Sequence, residues 1–119
     1  MLVRKLHLRE DDAMRVLIIG GTGTIGSQAA AAFEELGDEV ITVGRSTELS
    51  VDLEDPASIT EMFNKVGRVD AVVTAMGSAP FVSIEDATAD DFQAGISGKM
   101  LAQLNAVVYC CLLYTSDAA

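Results

Sequence analysis

The chain has 119 residues, a formal net charge of -10 and 50% hydrophobic residues, which suits one compact α/β domain with a modest core. An acidic surface repels a polyphosphate lattice at long range, so nucleic acid is excluded as a partner, whereas a single phosphate group held by backbone N–H groups stays compatible. No run is apolar enough to span a membrane or to serve as a secretory signal, which predicts a cytoplasmic protein, and the adjacent Cys110 and Cys111 give neither a metal-ligand spacing nor a disulfide framework.

Residues 1–13 mix both charge signs without hydrophobic periodicity and read as an N-terminal extension, either a loosely held arm or a non-native segment before a true start at Met14. Met14-Arg15-Val16-Leu17-Ile18-Ile19-Gly20 then predicts a buried strand. An Ala-rich helix follows from Ile25 to Leu36, closed by Gly37. Glu39 to Val43 predicts a second strand and Leu49 to Leu53 a short third one, although Gly44 to Glu48 is too short to hold a crossover helix between them.

Asp55-Pro56 gives an N-cap with proline at the first helical position, so a helix is expected from Pro56 to about Val66. Asp70 to Thr74 predicts a fourth strand, followed by a loop to Thr88; Thr88-Ala89-Asp90-Asp91 reads as a helix start with Thr88 as cap and acidic residues in the first turn, and helical apolar spacing runs on from Phe92 to about Tyr109. Gly95 and Gly98 are expected to weaken or bend its early turns. The residues from Cys111 to Ala119 can be encoded by a string that resembles a transposase adapter used in sequencing libraries. Residues 111–119 therefore read as an adapter-derived tail, and Tyr114 is not taken as a catalytic tyrosine.

The alternation of strands and helices predicts a Rossmann-type, doubly wound parallel sheet, truncated after about four strands, over residues 14–110. Gly20-Gly21-Thr22-Gly23-Thr24-Ile25-Gly26 leaves a buried strand and opens a helix, the context in which a glycine pattern points to a dinucleotide. Gly20 permits the sharp turn, Gly23 lets the backbone approach a pyrophosphate, and Gly26 lets the helix pack against the sheet. Thr22, Thr24 and Ile25 complete the cradle. After the second strand, Arg45 can fork onto a ribose 2′-phosphate and Ser46 can donate a hydroxyl, which predicts NADP(H) over NAD(H). Asp52 is placed to accept from the adenine amino group, and Ala75, Met76 and Gly77 to line the crevice beyond the fourth strand.

On these residues, together with Val51-Asp52-Leu53 and Val72-Val73-Thr74-Ala75-Met76-Gly77, the chain resembles the short-chain dehydrogenase/reductase superfamily in its atypical, compact members. The resemblance covers about Met14 to Tyr109 and implies the N-terminal part of such a protein. The family usually has Asn-Asn-Ala-Gly where Thr74 and Ala75 stand here, and it often has an asparagine in the long helix, where Ser97 falls with Lys99 nearby. The family's catalytic serine and Tyr-x-x-x-Lys pair would lie beyond Cys110, so no catalytic residue is assigned.

The resemblance implies an NADP(H)-dependent oxidoreductase that moves hydride between the nicotinamide and a small carbonyl or alcohol substrate when full length. Such proteins often pair through the long helix, so a homo-oligomer is expected. A non-catalytic NAD(P)-binding sensor or structural protein of the same fold is the alternative.

Overall fold

The computed structural model describes the backbone of residues 2–4 and 13–115. Its elements are β1 (Leu2–Arg4), β2 (Arg15–Ile19), α1 (Thr24–Glu35), β3 (Glu39–Val43), α2 (Pro56–Val66), β4 (Ala71–Thr74), α3 (Ala89–Gly95), a π-helical segment (Ile96–Leu101) and α4 (Ala102–Thr115). The sheet order is β1-β4-β2-β3. β2 pairs in parallel with both β3 and β4, so the chain winds first to one side of β2 and then to the other.

Alternation along β2 explains why helices cover both faces. Val16 and Ile18 pack with Ala30 and Phe33 of α1, whereas Leu17 and Ile19 pack with Ile59, Met62 and Phe63 of α2 and with Ala102 and Ala106 of α4. All four β2 side chains are fully buried, which matches the near-continuous apolar run of a parallel strand covered on both sides.

α2 begins as its sequence requires: the Asp55 carboxylate accepts from the Ala57 N–H at 3.0 Å and Pro56 opens the helix. At its far end, Arg15 donates through Nη1 to the carbonyls of Val66 at 2.8 Å and Arg68 at 2.7 Å. That bond tethers the last turn of α2 to the start of β2.

Two expectations are corrected. Leu49 to Leu53 forms no strand; its single parallel bridge joins Gly44 to Ser50, because the Gly44–Glu48 link turns back instead of crossing over. Thr47 holds that turn, accepting from the Gly44 N–H at 2.8 Å and donating to the Leu49 carbonyl. The fourth strand of the sheet is instead β1, antiparallel to β4 with Leu2 opposite Val73, in a stretch whose sequence gives no periodicity. The long helix starts at Ala89 behind the Thr88 cap, as its sequence implies, and the disturbance expected of Gly95 and Gly98 is a π-helical segment around Gly98. Helix α4 runs on to Thr115, through Cys111 of the expected tail, and residues 116–119 lie outside the described residues.

Candidate functional site

The carboxyl ends of β2, β3 and β4 converge on the glycine turn. The Gly20 N–H donates to the Val43 carbonyl at 2.6 Å, and the Ala75 N–H donates to the Ile19 carbonyl at 2.8 Å. These bonds bring the segments 20–26, 43–46 and 75–77 to one crevice, at the switch point where a dinucleotide crosses an open α/β sheet.

The glycines of the turn differ in what surrounds them. Gly20 has φ +89°, and a Cβ on it would lie 2.8 Å from the Ala75 carbonyl atoms. A Cβ on Gly21 would press into Thr42, and one on Gly26 would overlap the carbonyl oxygen of Gly20. Gly23 is different: its φ is -78°, and a Cβ there would meet only the Gly20 oxygen at 3.4 Å. The fold itself therefore requires glycine at 20, 21 and 26 and leaves Gly23 open toward the crevice.

Helix α1 starts at this opening without help from any side chain. Gly23 is its N-cap, no side-chain bond caps it, and no acidic residue lies in its first turn. Its leading N–H groups and the positive end of its dipole are thus presented to the crevice, a ready anion site. Thr22 and Thr24 are exposed beside it, and Ile25 is 78% exposed, an apolar side chain in a place where a ligand would cover it.

Thr22 also marks the junction with the next segment, since a Cβ on Gly44 would touch its Oγ1 at 3.4 Å. Arg45 and Ser46 follow, both exposed. Asp52 stands close by, because the Val51 N–H donates to the Gly44 carbonyl at 3.1 Å. One Asp52 oxygen accepts from the Glu54 N–H at 3.0 Å, and the Asp52 N–H donates to Ser58 Oγ at 2.9 Å, which fixes the carboxylate at the rim. On the other flank Ala75 and Met76 are half-buried and Gly77 is exposed. The glycine turn thus lies beside Ala75 and Met76 on one flank and beside Gly44, which precedes Arg45 and Ser46, on the other.

Four positioning contacts lay outside the sequence reading. Thr47 and Ser58 shape the loop that carries Arg45 and Asp52, as described above. Asn105 donates through Nδ2 to the Leu53 carbonyl at 3.1 Å and so ties that loop to α4; its signal was a polar residue between the small residues Ala102 and Ala106. The fourth is the Ser78 N–H, which donates to the Gly98 carbonyl at 2.9 Å and joins the end of β4 to the π-helical segment. Ser97, expected at the family's asparagine position, instead accepts from Gln93 Nε2 at 3.4 Å along its own helix. Lys99 is the residue that meets Gly77: a Cβ there would lie 3.3 Å from its Cγ.

Residues 16–104 match the model of the NAD dependent epimerase/dehydratase family. The chain belongs to that family. It is a short-chain dehydrogenase/reductase-type chain, as its glycine turn implied. Among solved structures it is 40% identical to the protein lin1944 from Listeria innocua, with a TM-score of 0.76 over 82% of this chain and 48% of that one.

Two more distant structures share the fold. A small-chain dehydrogenase in complex with NADPH is 23% identical, with a TM-score of 0.72 over 84% of this chain and 45% of the other. ElxO with NADP bound is 21% identical, with a TM-score of 0.76 over 91% and 53%. This short-chain dehydrogenase/reductase-type chain thus spans about half the length of the structures it matches. No curated protein matches it, and no helix among its described residues is long and apolar enough to cross a membrane.

Proposed function

We propose that this chain is the cofactor-binding part of an NADP(H)-dependent oxidoreductase acting on a carbonyl or alcohol. The observation that carries the reading is the glycine turn, which leaves space at Gly23 alone, over an uncapped helix start and beside exposed Arg45. The NADPH and NADP complexes of two proteins of the same fold support it.

In this reading the first N–H groups of α1, at Thr24, Ile25 and Gly26, hold the pyrophosphate, with Gly20 and Gly23 keeping the backbone close and Thr22 and Thr24 adding hydroxyl groups. Arg45 and Ser46 hold the 2′-phosphate. The free oxygen of Asp52 accepts from the adenine amino group, and Ala75, Met76 and Gly77 form the wall toward the nicotinamide. Bound NADPH supplies the hydride. The chain's own residues bind and orient it. The chain alone is expected to bind cofactor without turnover. The exposed stripe of Met100, Leu104 and Val108 supports pairing of whole proteins through α4.

A second reading, an NAD(P)-binding sensor or structural protein, draws on Thr74 and Ala75 standing where the family has asparagines. Fluorescence titration with NADPH and NADH tests the main reading. It predicts NADPH bound at least about tenfold more tightly, the worth of one charge-assisted hydrogen bond. Equal affinities would refute the NADP(H) preference.

A further inference from the structure

Charge on the described part of this acidic chain is distributed unevenly with respect to the crevice. Of its basic residues, Arg15 pairs with Glu39 and Lys65 with Glu61, while Arg4, opposite Ala71, and Arg68 lie at the start of β4, at the end of the sheet away from the glycine turn. Arg45, beyond β3, and Lys99, against the segment beyond β4, are the two cations at the crevice end. Arg45 serves the adenosine half in the reading above. The sheet order puts β4 on the opposite side of β2 from β3, so Lys99 stands on the nicotinamide half, where a substrate must meet the cofactor.

The backbone is shaped to put it there. The helix after the β4 loop passes into the π-helical segment Ile96–Leu101, a geometry that is rare and often found at functional sites. Gly98 is buried in that segment, and a Cβ on it would lie 2.6 Å from the Ser78 carbonyl oxygen. The absent side chain lets Ser78 dock and bond to the Gly98 carbonyl, and this contact sets Lys99 against Gly77. The Lys99 ammonium makes no ion pair among the described residues and is exposed. The nearby Asp91 carboxylate is engaged elsewhere, accepting from the Thr88 N–H at 2.8 Å and the Thr88 hydroxyl at 2.7 Å.

We infer that Lys99 is a specificity-determining residue that selects a substrate bearing a carboxylate next to its carbonyl or alcohol carbon. An ammonium is a compact point charge suited to one carboxylate, whereas a phosphate dianion is better served by an arginine fork or a helix start, and the α1 start is already committed to the pyrophosphate. A cation on the nicotinamide side of a chain of net charge -10 also offsets the long-range repulsion that an anionic substrate would otherwise meet.

This inference rests on the cofactor reading, and the test separates the two. The 119-residue chain is titrated with NADP+, then with oxamate, an unreactive mimic of a 2-oxo acid, or with neutral acetamide, following the amide signals of Gly77 and Gly98 by NMR. Oxamate is expected to bind the NADP+-loaded chain and acetamide not. Lys99→Met is expected to weaken oxamate at least tenfold and NADP+ less than twofold, and Lys99→Arg to retain most of the oxamate affinity. Tight NADP+ binding with no oxamate binding, or with oxamate binding unchanged in Lys99→Met, overturns the role of Lys99 and leaves the cofactor reading standing. Failure to bind NADP+ overturns both.

Discussion

Two kinds of helix start occur in this small protein. α2 and α3 close their own first turns: Asp55 caps one, and Thr88 with Asp91 forms a reciprocal capping box on the other. α1 begins on glycine, uncapped and free of acidic residues, in a chain with 18 of them. The difference separates helix starts that serve the fold from one left open for an external anion, and a glycine at that start costs the helix only about a few tenths of a kcal/mol against Ser, Thr, Asp or Asn.

The sharpest way to stress this contrast is to fill the glycines that the fold itself needs. Gly26→Ala forces a Cβ into the Gly20 carbonyl, so urea denaturation should show a loss of about 3 kcal/mol, the upper range for overpacking, with cofactor binding lost alongside. Arg45→Ala comes next. It should weaken NADPH about tenfold while leaving NADH and stability unchanged, as expected of one charge-assisted bond to an exposed side chain.

Asp55→Ala works on the other side of the comparison, since it should lower stability by about 1 kcal/mol in the same urea assay and leave NADPH affinity untouched. The smallest effect concerns pH. Hydrogen bonds from the Thr88 hydroxyl and backbone hold the Asp91 carboxyl below its ordinary value. The α3 start therefore gains stability that is complete above the ordinary carboxylate range and is lost as pH falls through the lowered value. Thr88→Val should flatten that acid dependence, read as the helical signal between neutral and acidic pH.

Much of this contrast is legible in the sequence, because it depends on local chemistry. Asp55-Pro56 and Thr88 announce their helix starts, and the α2 boundaries Pro56–Val66 follow from the cap and the apolar spacing. The glycine turn is equally plain, since a run of Gly20 to Gly26 between a buried strand and an Ala-rich helix has few other uses. What the sequence hides is non-local. The segment Leu49–Leu53 has a strand-like pattern, yet Val51 and Leu53 are buried through a loop that Thr47, Ser58 and Asn105 hold from three directions.

The antiparallel pairing of Leu2–Arg4 with β4 depends on an open sheet edge, which three residues of sequence do not announce. Likewise, Gly95 and Gly98 signal a disturbed helix, but only the docking of Ser78 on Gly98 turns that disturbance into a π-helical segment and brings Lys99, not Ser97, to the crevice.

The most direct test of the central claim is Gly23→Ala. Its backbone lies in a region any residue adopts, and the added Cβ meets the protein only at ordinary contact distance, so the fold has little need of glycine there. Urea denaturation and NADPH titration of this variant should give a stability loss of no more than about 1 kcal/mol, the cost of alanine at an N-cap, together with at least a tenfold loss of NADPH affinity. Unchanged affinity at unchanged stability would contradict the account, since Gly23 would then keep no space for a cofactor.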